Sequence, residues 1–154
     1  MATLVVYESM YGNTAKVARS IGAALSEHTP VEVRSIDEID VLPADLEVLI
    51  VGGPTYARGV EATMKAFLDG FADHALEGVA AAAFDTRVNW PKLLSGAASK
   101  GIHQRLERKG ARMIADPESF VVEDKDGPLL AGEQDRAEAW GRELASLIAP
   151  AARR

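Results

Sequence analysis

Thr3-Leu4-Val5-Val6-Tyr7-Glu8-Ser9-Met10-Tyr11-Gly12-Asn13-Thr14 is the stretch on which the reading of the fold turns. An apolar run of strand length, Leu4 to Tyr7, ends in a polar loop. Immediately beyond it the apolar period lengthens to about 3.6, with Val17, Ala18, Ile21, Ala24 and Leu25 on one helical face. A buried strand, a short turn and a helix N-terminus follow from that change. Such a turn directs unpaired backbone N–H groups toward one point, with the positive end of a helix behind them. Ser9 and Thr14 add hydroxyls and Asn13 an amide, while Gly12 permits a positive φ or a close backbone approach. These are the parts of a phosphate site. Gly, Asn and Thr also serve simply to turn a chain and cap a helix, so the rest of the sequence has to choose between the two.

Outward from this stretch the chain alternates strand and helix. Val31 to Ile36 reads as a short strand after the break at Thr29-Pro30, and the acidic, Pro43-interrupted segment from Ser35 to Asp45 as a short helix or loop. Leu46 to Val51 has the continuous Val/Ile-rich pattern of a strand covered on both faces. It runs into Gly52-Gly53-Pro54-Thr55-Tyr56-Ala57-Arg58-Gly59, a second loop. A helix from Glu61 to Phe71 turns Met64, Phe67, Leu68 and Phe71 inward. Val79 to Phe84 is a further buried strand, leading into a third loop, Asp85-Thr86-Arg87-Val88-Asn89-Trp90-Pro91. A helix from about Gly96 to Lys109 ends at Gly110. Ala111 to Ala115 is a fifth strand, and Phe120 to Leu130, turning at Asp126-Gly127-Pro128, suggests an edge hairpin. Glu133 to Ala149 is the last helix, with Trp140 on its core face, and Ala151 to Arg154 a frayed tail.

Five strands alternating with helices predict a doubly wound α/β fold over the single domain 1–154. The parallel sheet is expected in the order 2-1-3-4-5, with helices on both faces. In that order the loops after strands 1, 3 and 4 meet at the switch point, where ligands of such sheets bind.

Composition narrows the chemistry. The 154 residues include no cysteine, which excludes disulfides, thiolate metal sites and thiol catalysis by this chain. A hydrophobic fraction of 47% with 26% charged residues fits a water-soluble domain. No apolar run reaches membrane-spanning length, and the N-terminus enters a strand directly, so a cytoplasmic location is expected. The net charge of −6 argues against nucleic acid as a partner. His28, His74 and His103 are dispersed, and no metal site or catalytic triad is expected.

Ser9-Met10-Tyr11-Gly12-Asn13-Thr14 resembles the phosphate-binding loop of the flavodoxin family, and Gly53-Pro54-Thr55-Tyr56 resembles its second flavin loop. The likeness extends over the whole chain, in its short form. It implies tight, non-covalent FMN, with phosphate on the first loop and isoalloxazine between the second and third. The residues so implied are Ser9, Met10, Tyr11, Gly12, Asn13 and Thr14 in the first loop, Pro54, Thr55, Tyr56, Ala57 and Gly59 in the second, and Asp85, Thr86, Arg87 and Trp90 in the third. Tyr56 and Trp90 supply aromatic walls, although Trp90 equally suits packing of its own loop. Two positions depart from the family. Tyr11 stands where many members have Thr, and Asp85-Thr86-Arg87 differs from the glycine- and tyrosine-containing third loop of the best-known electron-transfer flavodoxins. Arg87 close to the ring would favour added negative charge there, and Asp85 would oppose it.

The expected function is an FMN protein carrying electrons between redox partner proteins. One alternative is an FMN-dependent oxidoreductase acting on a small redox substrate, a quinone or a porphyrinogen-like compound. Another is a flavin-free interaction module that keeps only the fold. A phosphorylated receiver of the same strand order is set aside, because Gly52-Gly53 and Glu8-Ser9 occupy the places its acidic residues require.

Overall fold

The computed structural model describes residues 2–56, 59–60, 62–89, 97–124 and 126–152. The first strand, β1 (Ala2–Tyr7), is followed by α1 (Asn13–Leu25), β2 (Val31–Ser35) and β3 (Leu46–Tyr56). A two-residue strand, β4 (Gly59–Val60), turns back antiparallel on the end of β3. Then come α2 (Ala62–Asp69), β5 (Ala80–Val88), α3 (Ala98–Arg108), β6 (Arg112–Met113), β7 (Glu118–Val122) and α4 (Glu133–Ala152). In the acidic segment after β2, Ile36–Glu38 forms one 3-10 turn closed by a capping box between Ser35 and Glu38.

The principal strands are parallel and ordered β2-β1-β3-β5, with β6 and β7 both paired to β5 beyond it. Taken as two segments of one interrupted strand, β6 and β7 complete the predicted 2-1-3-4-5 order. Residues 114–117 lie between the segments. Arg112–Met113 pairs with Ala80–Ala81, and Glu118–Val122 resumes the pairing along Phe84–Val88. The expected fifth strand, Ala111 to Ala115, is therefore shorter than its sequence suggested. Phe120 to Val122, expected in a hairpin, belongs to the main sheet and also bridges back antiparallel to Leu129.

Strand alternation divides the core. Val5, Val48, Ile50, Ala80, Ala82 and Phe84 face α1 and α4, where Val17, Ile21, Leu25, Trp140 and Leu144 cover them. Leu4, Val6, Leu49, Val51, Ala81 and Ala83 face α2 and α3, meeting Met64, Leu68, Ile102 and Leu106. The alanines of β5 let helices approach the sheet from both sides. Phe84, Phe120 and Trp140 fill the space near the sheet's edge as a mutually edge-to-face trio with centroids 6.1–6.2 Å apart. Arg136 braces that edge. Its guanidinium lies 4.5 Å from the Phe120 ring centroid, and it pairs with Glu118 and Glu133 and donates to the Ser119 carbonyl.

Two sequence expectations change here. Gly52 to Tyr56 and Asp85 to Val88 read locally as loops, because glycine, proline, asparagine and charge cluster there. Both are strand. Gly53 pairs with Asp85 and Pro54 with Thr86, while β7 pairs along the other edge of Asp85 to Val88. Ladder bonds on both sides outweigh the weak local propensities. The α2 helix is also shorter than the run from Glu61 to Phe71. It ends at Asp69, and Phe71 packs edge-to-face on Phe67 from beyond the last turn.

Candidate cofactor site

The carboxyl ends of β1, β3 and β5 meet in a shallow cleft open to solvent. Met10, Tyr11, Asn13, Thr14, Pro54, Thr55, Thr86, Arg87, Val88 and Val122 line it. Of the expected residues, those three strand ends bring together Met10, Tyr11, Asn13, Thr14, Pro54, Thr55, Thr86 and Arg87.

The turn between β1 and α1 has the form its sequence predicts. Gly12 takes φ +94°, a left-handed conformation that favours glycine, and a Cβ there would meet open space. The N-cap residue, Gly12, has no side chain to offer α1. Among the described residues the N–H groups of Asn13 and Thr14 have no protein acceptor, and both point out of the helix N-terminus. Ser9 Oγ accepts from Gly12 N at 3.0 Å and from Ala15 N at 3.4 Å. With both lone pairs so engaged, its single hydrogen is left to donate. Backbone and hydroxyl donors thus converge with the helix dipole on an uncharged nest, which suits a phosphate dianion.

Two side chains tie this turn to distant parts of the chain. Asn13 Nδ2 donates to the carbonyl of Gly127, 2.5 Å away, so the Asn13 amide fixes the turn to the loop after β7. Thr14 Oγ1 lies 2.8 Å from Thr86 Oγ1, and both residues are buried. Met10 and Tyr11, by contrast, are about half exposed, at 48% and 47%, and form an apolar rim.

The other expected residues divide between the two faces of the sheet. Thr86 faces Thr14, whereas its neighbour Asp85 points to the opposite face and is fully buried under the N-terminus of α3. Asp85 Oδ2 accepts from Ser99 N at 2.8 Å, and Thr55 Oγ1 accepts from Ala98 N at 3.0 Å. These two strand residues therefore satisfy the first amides of α3, a role normally filled by a local cap. Burial pushes the Asp85 carboxyl above its ordinary range, with the Ser99 hydrogen bonds, Ser119 and the Arg87 charge acting the other way. Arg87 Nη1 donates to the Val88 carbonyl at 3.3 Å, and its charge also acts on Glu133. Tyr56 and Gly59 are partners in the β3–β4 hairpin backbone. The Tyr56 ring lies outside what the structure describes, and Ala57, Arg58 and Trp90 lie outside the described residues.

Sequence reasoning passed over Val88, Val122 and Gly127. Val122 reaches the cleft because the fifth strand resumes after its break, and Gly127 because the following turn folds back toward Asn13. Neither depends on a local pattern. Among the described residues no cluster of three His, Asp or Glu side chains is placed to hold a metal, and no helix is long and apolar enough to cross a membrane.

The protein-family model described as Flavodoxin matches residues 5–140. Among solved structures, a flavodoxin from the domain Archaea is 24% identical, covering 95% of this chain and 97% of its own, with a TM-score of 0.76. Flavodoxin 1 from Bacillus cereus is 20% identical, with 95% and 98% covered and a TM-score of 0.77. The two-electron reduced flavodoxin of Megasphaera elsdenii is 26% identical, with 94% and 98% covered and a TM-score of 0.68. No curated protein matches the sequence.

Proposed function

Because this chain belongs to the flavodoxin family, whose members bind FMN, we propose that it is an electron carrier that takes FMN into the cleft above β1, β3 and β5. Flavodoxin is itself a standing example of the rule that ligands of doubly wound sheets bind at this switch point. One observation carries the reading. Behind a left-handed Gly12 the first two amides of α1, those of Asn13 and Thr14, have no protein acceptor among the described residues, and the Ser9 and Thr14 hydroxyls lie beside them.

In this reading the N–H groups of Asn13 and Thr14 and the hydroxyls of Ser9 and Thr14 hold the phosphate. The helix dipole offsets its charge without a lysine. Pro54, Thr55, Val88 and Val122 give the ring a mainly apolar bed, and Met10 and Tyr11 edge it. Tyr56 and Trp90 are assigned as aromatic walls from the sequence, with Ala57 and Gly59 shaping the loop between them. Arg87 brings a positive charge to the cleft and favours added negative charge there. Asp85 acts on the site from beneath, by fixing α3. FMN, when bound, exchanges one or two electrons. The protein positions it, shields one side from water and leaves an exposed rim at which a redox partner docks.

Fluorescence titration of the flavin-stripped full chain with FMN and with riboflavin tests the assignment. FMN should bind at least tenfold tighter, since several hydrogen bonds to a charged group are at stake. Equal affinities would remove the phosphate role from the first loop. Adding NADPH alone to the FMN-loaded protein should leave its visible absorbance unchanged. Bleaching would instead favour an oxidoreductase over a carrier.

A further inference from the structure

We propose that Thr86, on β5, is a positioning residue for phosphate recognition: its hydroxyl orients that of Thr14, so that β5 helps to aim a donor of the first loop. The proposal rests on the phosphate reading above. The two Oγ1 atoms are 2.8 Å apart. Thr14 and Thr86 are only 2% and 5% exposed, yet both line the cleft. The pair joins residues 72 positions apart in the chain and is held by two independent elements, the first turn of α1 and the ladder between Pro54 and Thr86.

A hydroxyl carries one hydrogen and accepts two. If Thr14 donates to Thr86, the Thr14 hydrogen is used up inside the protein. If Thr86 donates to Thr14, the Thr14 hydrogen is released for the cleft. A phosphate dianion only accepts, so its presence selects the second arrangement. Thr86 then holds the Thr14 oxygen in place and leaves its hydrogen as the donor. Without Thr86, the buried Thr14 hydroxyl loses this fixed partner and with it the orientation suited to phosphate. Ser9 reaches the same donor state through two backbone N–H groups. Thr14 reaches it through Thr86.

The test uses Thr86→Val, which keeps the shape and removes the hydroxyl, and Thr86→Ser, which keeps the hydroxyl. FMN and riboflavin affinities are measured on the flavin-stripped full chain, together with the 31P resonance of bound FMN. Thr86→Val should weaken FMN about five- to tenfold, the size of one hydrogen bond. Riboflavin affinity should stay unchanged and the 31P resonance should shift, while Thr86→Ser restores both. In Thr14→Val/Thr86→Val the FMN loss should equal that of Thr14→Val alone, since only one donor is involved. Wild-type FMN affinity in Thr86→Val would overturn the proposal. So would an equal loss for both flavins, which signifies packing, or fully additive losses in the double variant. If Thr86→Val fails to fold, Thr86→Ala takes its place with the same expectations. A wild-type chain that does not distinguish FMN from riboflavin would instead overturn the phosphate reading itself.

Discussion

Adjacent residues on β5 do opposite work because a strand sends successive side chains to opposite faces. Thr86 lines the cleft at the strand ends, and Asp85 is buried beneath α3 with one oxygen on Ser99 N. A buried carboxylate is costly when charged, and the direction of its shift sets a pH dependence. With its folded pKa raised, Asp85 holds its proton more readily in the folded chain than in the unfolded one. Its contribution to stability is complete below the unfolded value of about 3.9 and is lost as pH rises through the folded value. Asp85→Asn keeps an oxygen for Ser99 N and does not titrate. On going from about pH 4 to neutrality, the thermal midpoint of the natural protein should therefore fall relative to that of Asp85→Asn. A constant difference between the two across that range would mean that Asp85 titrates alike in both states.

At the scale of elements, the turn between β1 and α1 is only as fixed as α1, and α1 is seated on the sheet by α4. The two helices approach closely at Gly141, where a Cβ would stand 2.8 Å from the Ala24 Cβ and 2.9 Å from the Ile21 carbonyl oxygen. The second neighbour is backbone and cannot rotate away. Alanine normally favours a helix over glycine by about 1 kcal/mol, but here overpacking should cost about 1–3 kcal/mol. Gly141→Ala should thus lower the thermal midpoint by a few degrees, at roughly 2–4 °C per kcal/mol for a chain of this size. Calorimetry of the flavin-free chain reads this directly. A rise in the midpoint would show that α4 can move outward at no cost. The same element scale explains the unusual cap of α3. Its first amides are met by Thr55 and Asp85 from β3 and β5, so the helix is positioned by the sheet.

For the whole molecule, the excess of acidic over basic residues leaves a net charge of −6. Such a field attracts cationic redox partners and repels anionic ones, and salt screens both effects over roughly 8–10 Å. Stopped-flow oxidation of the reduced FMN-loaded protein by hexaammineruthenium(III) should slow as ionic strength rises. Oxidation by ferricyanide should accelerate. Reversal of both slopes would mean that the charge near the cleft, where Arg87 lies, overrides the net charge.

The sequence by itself determined the alternation of strands and helices, the order of the sheet, the family and the glycine turn before the first helix. These rest on short-range signals: apolar period, a glycine where φ is positive, and hydroxyls at a helix start. Tertiary structure alone decided that Gly52 to Tyr56 and Asp85 to Val88 are strands, because ladder bonds to β5 and β7 override residues that locally favour turns. It also decided that Thr86 faces the cleft while Asp85 turns away, and that Thr14 and Thr86 meet. Strand register fixes both, and register is a relation between segments far apart in the chain.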